Sequence, residues 1–464
     1  MRCLSVVAVV ATVFACTAPC RAEGVSPSKL GLAEAVSLAL GMNADLKQAE
    51  ESKRTALANL RIAKYNTSLI FGSSTNLDRA PGSSDLSSLV SSSLGYESPL
   101  GTSASLDVTP LGLGRKYGGL GASLRQALRK GSGLLSGKGL ALKSAQSGAT
   151  VESKQLFITR QATVQSVVEG YCQAVLAREE VKVREQAVTN AETIADGWRK
   201  REAEGMAAGI DVSRSDIQVA QSRNSLNTQQ RNSRNALDRL MIAIGGGVGE
   251  TPELTDSVPT VDPGNPALAD AIKTALANRG ELVIYDERLA EQERQLWSAK
   301  DQLRPQLDMV AGFNGSRGSE GFISRSIFNQ GVLTAGLEYS IPLDRRITQE
   351  RSNTASRQLE VLRNLRLFQT DQIVEQVRTA YRRVESARAS IDILTKNKAV
   401  AEDNINFANL MMEEGVGSSR DVIEAQQALT EADSNLLSAK TDLYLAAIDL
   451  KRVMGEDLTT MEFK

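Results

Sequence analysis

One short pattern occurs twice in this chain of 464 residues, and neither copy contains a gap relative to the other. The stretch LAEAVSLALGMNADL begins at Leu32, and LADAIKTALANRGEL begins at Leu268. A second match relates Gly205–Val212 (GMAAGIDV) to Gly415–Val422 (GVGSSRDV). Two matches in the same order along the chain indicate that one structural unit has been duplicated. The sequence therefore predicts two similar halves rather than one continuous core.

The duplication and the composition between its copies define the predicted domains. Residues 1–22 begin with a positive charge, continue with an apolar run and end in small residues, which is typical of a secretory signal peptide. Residues 23–244 form the first structural repeat, 245–267 a linker and 268–464 the second repeat. Cleavage after Ala22 and lipidation at Cys16 or Cys20 both remain open.

Composition excludes several classes of function. Histidine is absent, which removes Ser-His-Asp and Cys-His nucleophile systems and the HExxH zinc motif. The formal net charge of −1 gives no general attraction to nucleic acid. We therefore expect a protein that is not an enzyme, needs no cofactor or metal, and has no nucleic-acid partner. After removal of residues 1–22, Cys172 would be the only thiol, so no disulfide within the chain is expected.

Proline placement indicates where very long helices can run, because proline interrupts helix interiors. No proline falls between Pro110 and Pro252, or after Pro342. The spacing predicts one nearly continuous helix from Ser136 to about Glu204, on the order of 100 Å long at about 1.5 Å per residue. No segment after the signal peptide approaches eighteen consecutive apolar residues, so a membrane crossing would have to use β-strands.

The final proline-free window contains a coiled-coil seam in which large and small residues alternate at spacings of three and four. Its positions are Val422, Ala425, Leu429, Ala432, Leu436, Ala439, Leu443, Ala446, Leu450 and Val453. The corresponding register after Val212 is more polar. In each half, a glycine-containing turn followed by Asp-Val is expected to join the long helix to the next helix.

A second pattern, with a period of two, predicts strands between the helices. Val332–Ile341 has the clearest alternation and about the length that a tilted transmembrane strand needs. Further strands are expected at Leu69–Asp78, around Leu120–Arg125 and at Leu307–Asn314, with loops at Arg79–Ser93 and Gly315–Ser326. The segment Ser98–Leu111 is a candidate for an extra hairpin. The pattern alone fits a soluble sheet that caps a coiled coil as well as strands in a membrane.

The order of these elements, together with specific motifs, resembles the TolC-like outer-membrane efflux proteins over about residues 30 to 460. The motifs are the duplicated opening at Leu32 and Leu268, RQALRKG at Arg125, YSIPLD at Tyr339 and EEGVGSSRDVIEAQ at Glu413. The resemblance implies a mostly α fold with a β-barrel portion. Each protomer would supply four strands to the twelve-stranded transmembrane β-barrel of a homotrimer, and its long coiled-coil helices to a periplasmic α-barrel.

The resemblance also implies a function, a location and partners. The protein would be a channel-tunnel in the cell outer membrane, in contact with outer-membrane lipid, with its helical part in the periplasm. It would export drugs, metals or proteins together with an inner-membrane transporter and a periplasmic adaptor protein. Two rival hypotheses are a periplasmic coiled-coil adaptor, which would need one hairpin with lipoyl-like and barrel domains, and a structural spacer, for which the strands have no use.

Site residues follow from the same resemblance. Asp421 and Glu424 match the acidic residues that form the periplasmic gate constriction of the family, although the alternative that Asp421 only caps its helix remains open. The two helical turns match the surfaces that contact the adaptor. The residues at these tips are Gly205, Gly209, Asp211, Arg214, Gly415, Gly417 and Arg420.

Overall fold

A computed structural model describes most of the chain. The described residues are 29–66, 69–79, 86–109, 118–247, 252–255, 266–317, 331–414 and 416–461. The predicted signal peptide, most of the predicted linker and Gly415 lie outside these ranges. In the described part of the chain, no helix is both long and apolar enough to span a membrane.

Eight α-helices are described, and their lengths recur between the two halves of the chain. The first half contains α1 (Leu32–Met42), α2 (Ala44–Tyr65), α3 (Gly137–Ala203) and α4 (Gly209–Ile244). The second half contains α5 (Leu268–Asn278), α6 (Gly280–Asp301), α7 (Arg346–Glu413) and α8 (Ser419–Val453). In residues, these four helices are 11, 22, 67 and 36 long in the first half and 11, 22, 68 and 35 long in the second.

The first long helix confirms the prediction made from proline placement. Helix α3 begins after Ser136, whose hydroxyl accepts a 3.0 Å hydrogen bond from the Gly139 amide and so caps the first turn. It ends before Gly205, which has a φ of 74°. At about 1.5 Å per residue, α3 and α7 each extend about 100 Å. Helix α3 packs against α4, and α7 packs against α8, as two long hairpins.

The predicted seam of α8 is buried and holds the second hairpin together. Val422, Ala446, Leu450 and Val453 are at most 3% exposed, while Ala425, Leu429 and Leu443 are partly buried against the same clusters. Alanines between the larger residues allow close approach of the neighbouring helices. The first-half register is less buried: Ser215 and Leu240 are enclosed, whereas most of the intervening positions are half-exposed.

Two hydrophobic clusters lie where the short helices α1 and α5 pack against the long ones. The first joins α1, α3 and α4 with the end of α8 and includes Tyr171 and Cys172. The second joins α5, α7 and α8 around Ile373 and Val377. A two-residue parallel pairing of β1 (Lys29–Leu30) with β6 (Glu253–Leu254) fastens the chain to the first cluster. The helices are therefore bound to each other part-way along their length, away from the tips of the hairpins.

The remaining strands form one antiparallel sheet with the order β2-β3-β4-β5-β7-β8. These strands are β2 (Ile70–Arg79), β3 (Leu86–Glu97), β4 (Thr102–Thr109), β5 (Gly118–Ala127), β7 (Gln306–Arg317) and β8 (Val332–Ser340). The predicted strands at Leu69–Asp78, Leu120–Arg125, Leu307–Asn314 and Val332–Ile341 are confirmed to within a few residues. The first half of the chain contributes four strands and the second half two.

The expected count of four strands per protomer is wrong, because the described residues hold six in this sheet. The segment predicted as a loop at Arg79–Ser93 contains most of β3, and the candidate hairpin near Ser98–Leu111 supplies β4. Serine and glycine fill β3 and have low strand propensity, so that composition alone favours a loop. Serine pairs between β2 and β3 compensate: Ser74 Oγ lies 2.7 Å from Ser91 Oγ, and Ser73 Oγ lies 3.2 Å from Ser92 Oγ.

Candidate gate and docking tips

Each long hairpin ends in a tight turn, and the predicted site residues lie on these two turns. The first tip joins α3 to α4, and the second joins α7 to α8. Both tips are remote in sequence and in space from the sheet, at the other end of helices about 100 Å long. They are surfaces that a partner approaching the helical end would meet first.

At the first tip, glycine is required by the backbone conformation. Gly205 has a φ of 74°, a left-handed value that side chains disfavour. The amide of Gly205 donates to the Glu202 carbonyl at 2.9 Å, and the amide of Met206 donates to the Arg201 carbonyl at 2.8 Å. These bonds satisfy carbonyls at the end of α3. Gly209 then begins α4, and only the carboxylate end of Glu202 would meet a Cβ added there.

At the second tip, glycine is required by close packing. A Cβ added to Gly417 would lie 2.9 Å from the Met412 backbone nitrogen and 3.0 Å from the Met411 carbonyl carbon. The amides of Val416 and Gly417 both donate to the Met411 carbonyl, at 3.0 and 2.8 Å. The matching glycine at position 415 lies outside the described residues.

Asp421 occupies the third position of α8 and forms a capping box with Ser418. The Ser418 hydroxyl accepts a bond from the Asp421 amide at 3.3 Å, and the Ser418 amide and hydroxyl donate to the Asp421 carboxylate at 3.1 and 2.7 Å. Hydrogen bonds from the Ser418 side chain, and then from its backbone, lower the pKa of Asp421. The N-cap itself is Ser418, so the alternative that Asp421 is the N-cap residue is wrong in detail. Its carboxylate remains exposed and charged.

Glu424 lies one turn further along the same exposed face. Its carboxylate accepts a 2.6 Å hydrogen bond from the guanidinium of Arg420, and both side chains are more than half exposed. An exposed pair at this spacing contributes little to stability and exchanges readily with solvent ions. Asp421 and Glu424 are thus brought together on the first turns of α8, with Arg420 as the neighbouring cation.

The two tips contact each other through Ser419 and Arg201, which the sequence did not identify, and through Asp211, which it did. The hydroxyl of Ser419, which is fully buried, donates to the Asp211 carboxylate at 2.7 Å. The Arg201 guanidinium donates to the Met412 carbonyl at 2.5 Å. Arg214 also faces Asp211, at 3.8 Å. Repeat matching compares equivalent positions of the two tips and does not reveal contacts between them, so Ser419 and Arg201 carried no signal.

Comparison with solved structures shows that this architecture is a known one. Among the similar structures are VceC from Vibrio cholerae, CmeC from Campylobacter jejuni and MtrE from Neisseria gonorrhoeae. VceC is 16% identical, with coverage of 92% of this chain and 96% of VceC and a TM-score of 0.69. CmeC is 16% identical (93% and 87%; 0.68), and MtrE is 15% identical (92% and 89%; 0.67). At these identities the similarity shows the fold.

The sequence of the second repeat also resembles a known family. Residues 271–456 match a family model described as outer membrane efflux protein. This part of the chain is similar to the outer membrane efflux proteins. The family match and the similar solved structures together place the protein in the outer membrane, with its helical part in the periplasm. No curated protein sequence matches the chain.

The second tip presents a small, exposed and charged surface. In the described residues, no cluster of three or more metal-ligating side chains occurs. What the second tip offers is two exposed carboxylates with one guanidinium, on a turn fixed by glycine and by a capping box. Such a surface attracts cations and repels anions when several copies face one another.

Proposed function

We propose that three copies of this efflux protein form one duct through the outer membrane, and that the duct exports cargo received from an inner-membrane transporter through a periplasmic adaptor. The observation that carries the proposal is the combination of one amphipathic sheet with helices about 100 Å long in a chain of the efflux family. A soluble cap would bury its apolar face, whereas this sheet leaves it open, with Leu333 78% exposed.

The sheet supports membrane insertion through the pairing of its edges with other copies. An open sheet edge is not tolerated in lipid, because its backbone groups would have no hydrogen-bond partners. One protomer alone leaves two such edges, β2 and β8. A ring of copies joined edge to edge removes them. The helical hairpins then continue from this ring into the periplasm as a tunnel.

The second tips supply the constriction in this proposal. Asp421 and Glu424 from three copies would place six carboxylates near the tunnel axis, where they favour cations and oppose anions. The capping role of Asp421 supports this arrangement, because the hydrogen bonds from Ser418 fix the carboxylate in one direction and keep it ionised. Asp211, at the equivalent place in the first repeat, is engaged with Ser419 and serves as the matched reference.

The two turns supply the adaptor surface. Gly205, Gly209, Asp211 and Arg214 lie on the first, and Gly415, Gly417 and Arg420 on the second. Exposed Met206 and Val416 stand beside these residues as apolar contacts for a partner helix. The alternative function of a periplasmic adaptor is not favoured, since the described chain carries two long hairpins and a single larger sheet.

Fractionation tests the duct as a whole. The protein is expected in the outer-membrane fraction, as an oligomer that resists sodium dodecyl sulfate at room temperature and dissociates on heating. Recovery in the soluble periplasmic fraction as a monomer would contradict the proposal.

Single-channel recording in planar lipid bilayers tests the gate. The double variant Asp421→Asn, Glu424→Gln keeps the shape of both side chains and removes the charge of both. We expect higher conductance and block by multivalent cations that is at least about tenfold weaker, on the order of 1.4 kcal/mol of lost coupling. Asp211→Asn is the control and should leave cation block unchanged. If the double variant and the control behave alike, the constriction lies elsewhere.

A further inference from the structure

In the part of the chain that the structure describes, the hairpin β3–β4 has no counterpart in the second half. Between β2 and β5, the first repeat has two further strands, Leu86–Glu97 and Thr102–Thr109, whereas β7 and β8 of the second repeat are separated by only 14 residues, 318–331. These strands are not appended to an edge. They lie between β2 and β5 and are hydrogen-bonded to both.

Two neighbouring rows on one face of the sheet are apolar, and both cross the inserted hairpin; the rows on either side of them also contain polar pairs, Ser73 with Ser92 and Thr102 with Gln126. The register aligns one residue from each strand into a row that crosses the whole sheet. This row is Phe71, Leu94, Leu106, Ala122, Phe313 and Leu333. The neighbouring row on the same face is Tyr96, Ala104, Leu124, Ala311 and Ala335. No polar residue interrupts either row.

The opposite face is formed mainly by small and polar residues, again across all six strands. One row there is Ile70, Gly95, Ser105, Ser123, Gly312 and Thr334. Nearby on this face, the Arg125 guanidinium bonds the Glu338 carboxylate and lies 3.4 Å from that of Asp308. Alternation of apolar and polar faces is the pattern of a barrel wall between lipid and water. The inserted hairpin follows it in the same register as its neighbours.

The inner turn of the hairpin is fastened to the start of α3. The Gly133 amide donates to the Leu100 carbonyl at 3.0 Å, and the Ser136 hydroxyl donates to the Pro99 carbonyl. Gly101 has a φ of 84°. A Cβ added there would lie 2.6 Å from the Gly131 carbonyl oxygen, so the close contact requires glycine. Lys138 reaches the Glu97 carboxylate at 3.2 Å. The turn therefore lies at the helical end of the wall, as a turn of a membrane meander does.

We propose that all six strands of each protomer lie in the membrane wall, so that three copies close a barrel of eighteen strands through pairing of β2 of one copy with β8 of the next. This inference rests on the trimeric duct proposed above. With strands about 4.8 Å apart and tilted by about 40°, eighteen strands give a backbone diameter of about 36 Å, against about 24 Å for twelve. The barrel of the duct is then wider, by about half, than the twelve-stranded barrel that the family resemblance implies.

A spin-label scan along β4 tests the position of the hairpin. Single cysteines replace residues 103–107 in a Cys172→Ala background, and the labelled protein is reconstituted into phosphatidylcholine vesicles. Labels at positions 104 and 106 should collide with molecular oxygen, and labels at 103, 105 and 107 with a water-soluble nickel chelate. Residues 333–337 of β8, scanned in the same way, are the reference for a strand in the wall.

The outcomes separate this inference from the proposed function. Alternation on both strands supports the eighteen-stranded barrel. Alternation on β8 together with nickel access at all five positions of β4 overturns it and leaves the duct intact. Loss of alternation on both strands contradicts the duct itself. Cryo-electron microscopy of the trimer in lipid nanodiscs then counts the strands, and a barrel of twelve strands would also overturn the inference.

Discussion

Asp421 combines two roles that would be hard to separate by alanine substitution. Its carboxylate completes the capping box of α8, and the same carboxylate is exposed at the tip of the hairpin. Replacement by alanine would change both the helix start and the charge. Asparagine keeps a hydrogen-bonding oxygen in place and changes mainly the charge, which is why the gate test above uses it.

The capping bonds also predict how the gate responds to pH. In the variant Glu424→Gln, Asp421 is the remaining acidic residue of the pair, and its pKa is lowered by Ser418. Its charge should therefore persist until the pH falls below the ordinary aspartate value of about 3.9. The ionised Asp421 carboxylate also stabilises the folded protein. This stability is present above the unfolded-state pKa of Asp421 and is lost as pH falls through its folded-state pKa.

Cation block recorded in Glu424→Gln between pH 6 and pH 3 measures this charge directly. We expect constant block down to about pH 4 and loss below it. Adding Ser418→Ala removes the hydrogen bonds of the hydroxyl and should move the transition upwards in pH. An identical transition with and without Ser418 would show that the capping bonds do not control the charge.

At the level of elements, the two glycine tips predict opposite tolerance to the same substitution. Gly417→Ala drives a Cβ against backbone atoms of Met411 and Met412, which cannot move without changing the end of α7. Gly209→Ala meets only the flexible carboxylate end of Glu202, at 3.0 Å. We expect Gly417→Ala to cost about 1–3 kcal/mol and Gly209→Ala much less.

Hydrogen–deuterium exchange of the intact protein in lipid nanodiscs measures both effects locally. Gly417→Ala should accelerate exchange in peptides that cover residues 408–424, by about fivefold or more. Gly209→Ala should leave residues 200–216 nearly unchanged. Equal protection of the second tip in Gly417→Ala and the parent protein would mean that the turn adopts another conformation in solution.

Helices were predictable from sequence because their signals are local and repeated. The length of α3 follows from the proline-free window between Pro110 and Pro252, and the seam of α8 follows from apolar spacing. The strand β3 was missed for the opposite reason. Its serines are stabilised by partners on β2 that are close in space, and their spacing within the segment resembles that of a loop.

At the hairpin tips, too, local sequence signals predicted the turns but not the contacts between them. Equivalent glycines and aspartates identified both turns, since duplication preserves local residues. The bond from Ser419 to Asp211 joins one repeat to the other and depends on how the hairpins pack side by side. Contacts of this kind arise from tertiary geometry, which a comparison of the repeats with each other does not contain.

At the scale of the whole molecule, the two repeats match in their helices and differ in their strands. The helical part keeps both copies at nearly equal lengths, which gives a tunnel of similar units. The sheet does not, because the first repeat contributes four strands and the second two. Barrel width depends on strand number, while tunnel width depends on helix packing, so the two ends of the duct can change size independently.

A deletion tests this independence. Removal of residues 86–117 eliminates β3 and β4 and connects residue 85 directly to Gly118. Strand β2 then runs antiparallel to β5, as β7 does to β8, and each protomer retains four strands. We expect a trimer whose barrel narrows from about 36 Å to about 24 Å while its helical tunnel keeps the width of the parent protein.

Cryo-electron microscopy of both trimers in nanodiscs gives the two widths in one experiment. The tunnel serves as the internal control for folding and assembly, because misfolding would change it together with the barrel. If the deletion changes neither the width of the barrel nor the width of the tunnel, the hairpin lies outside the membrane wall.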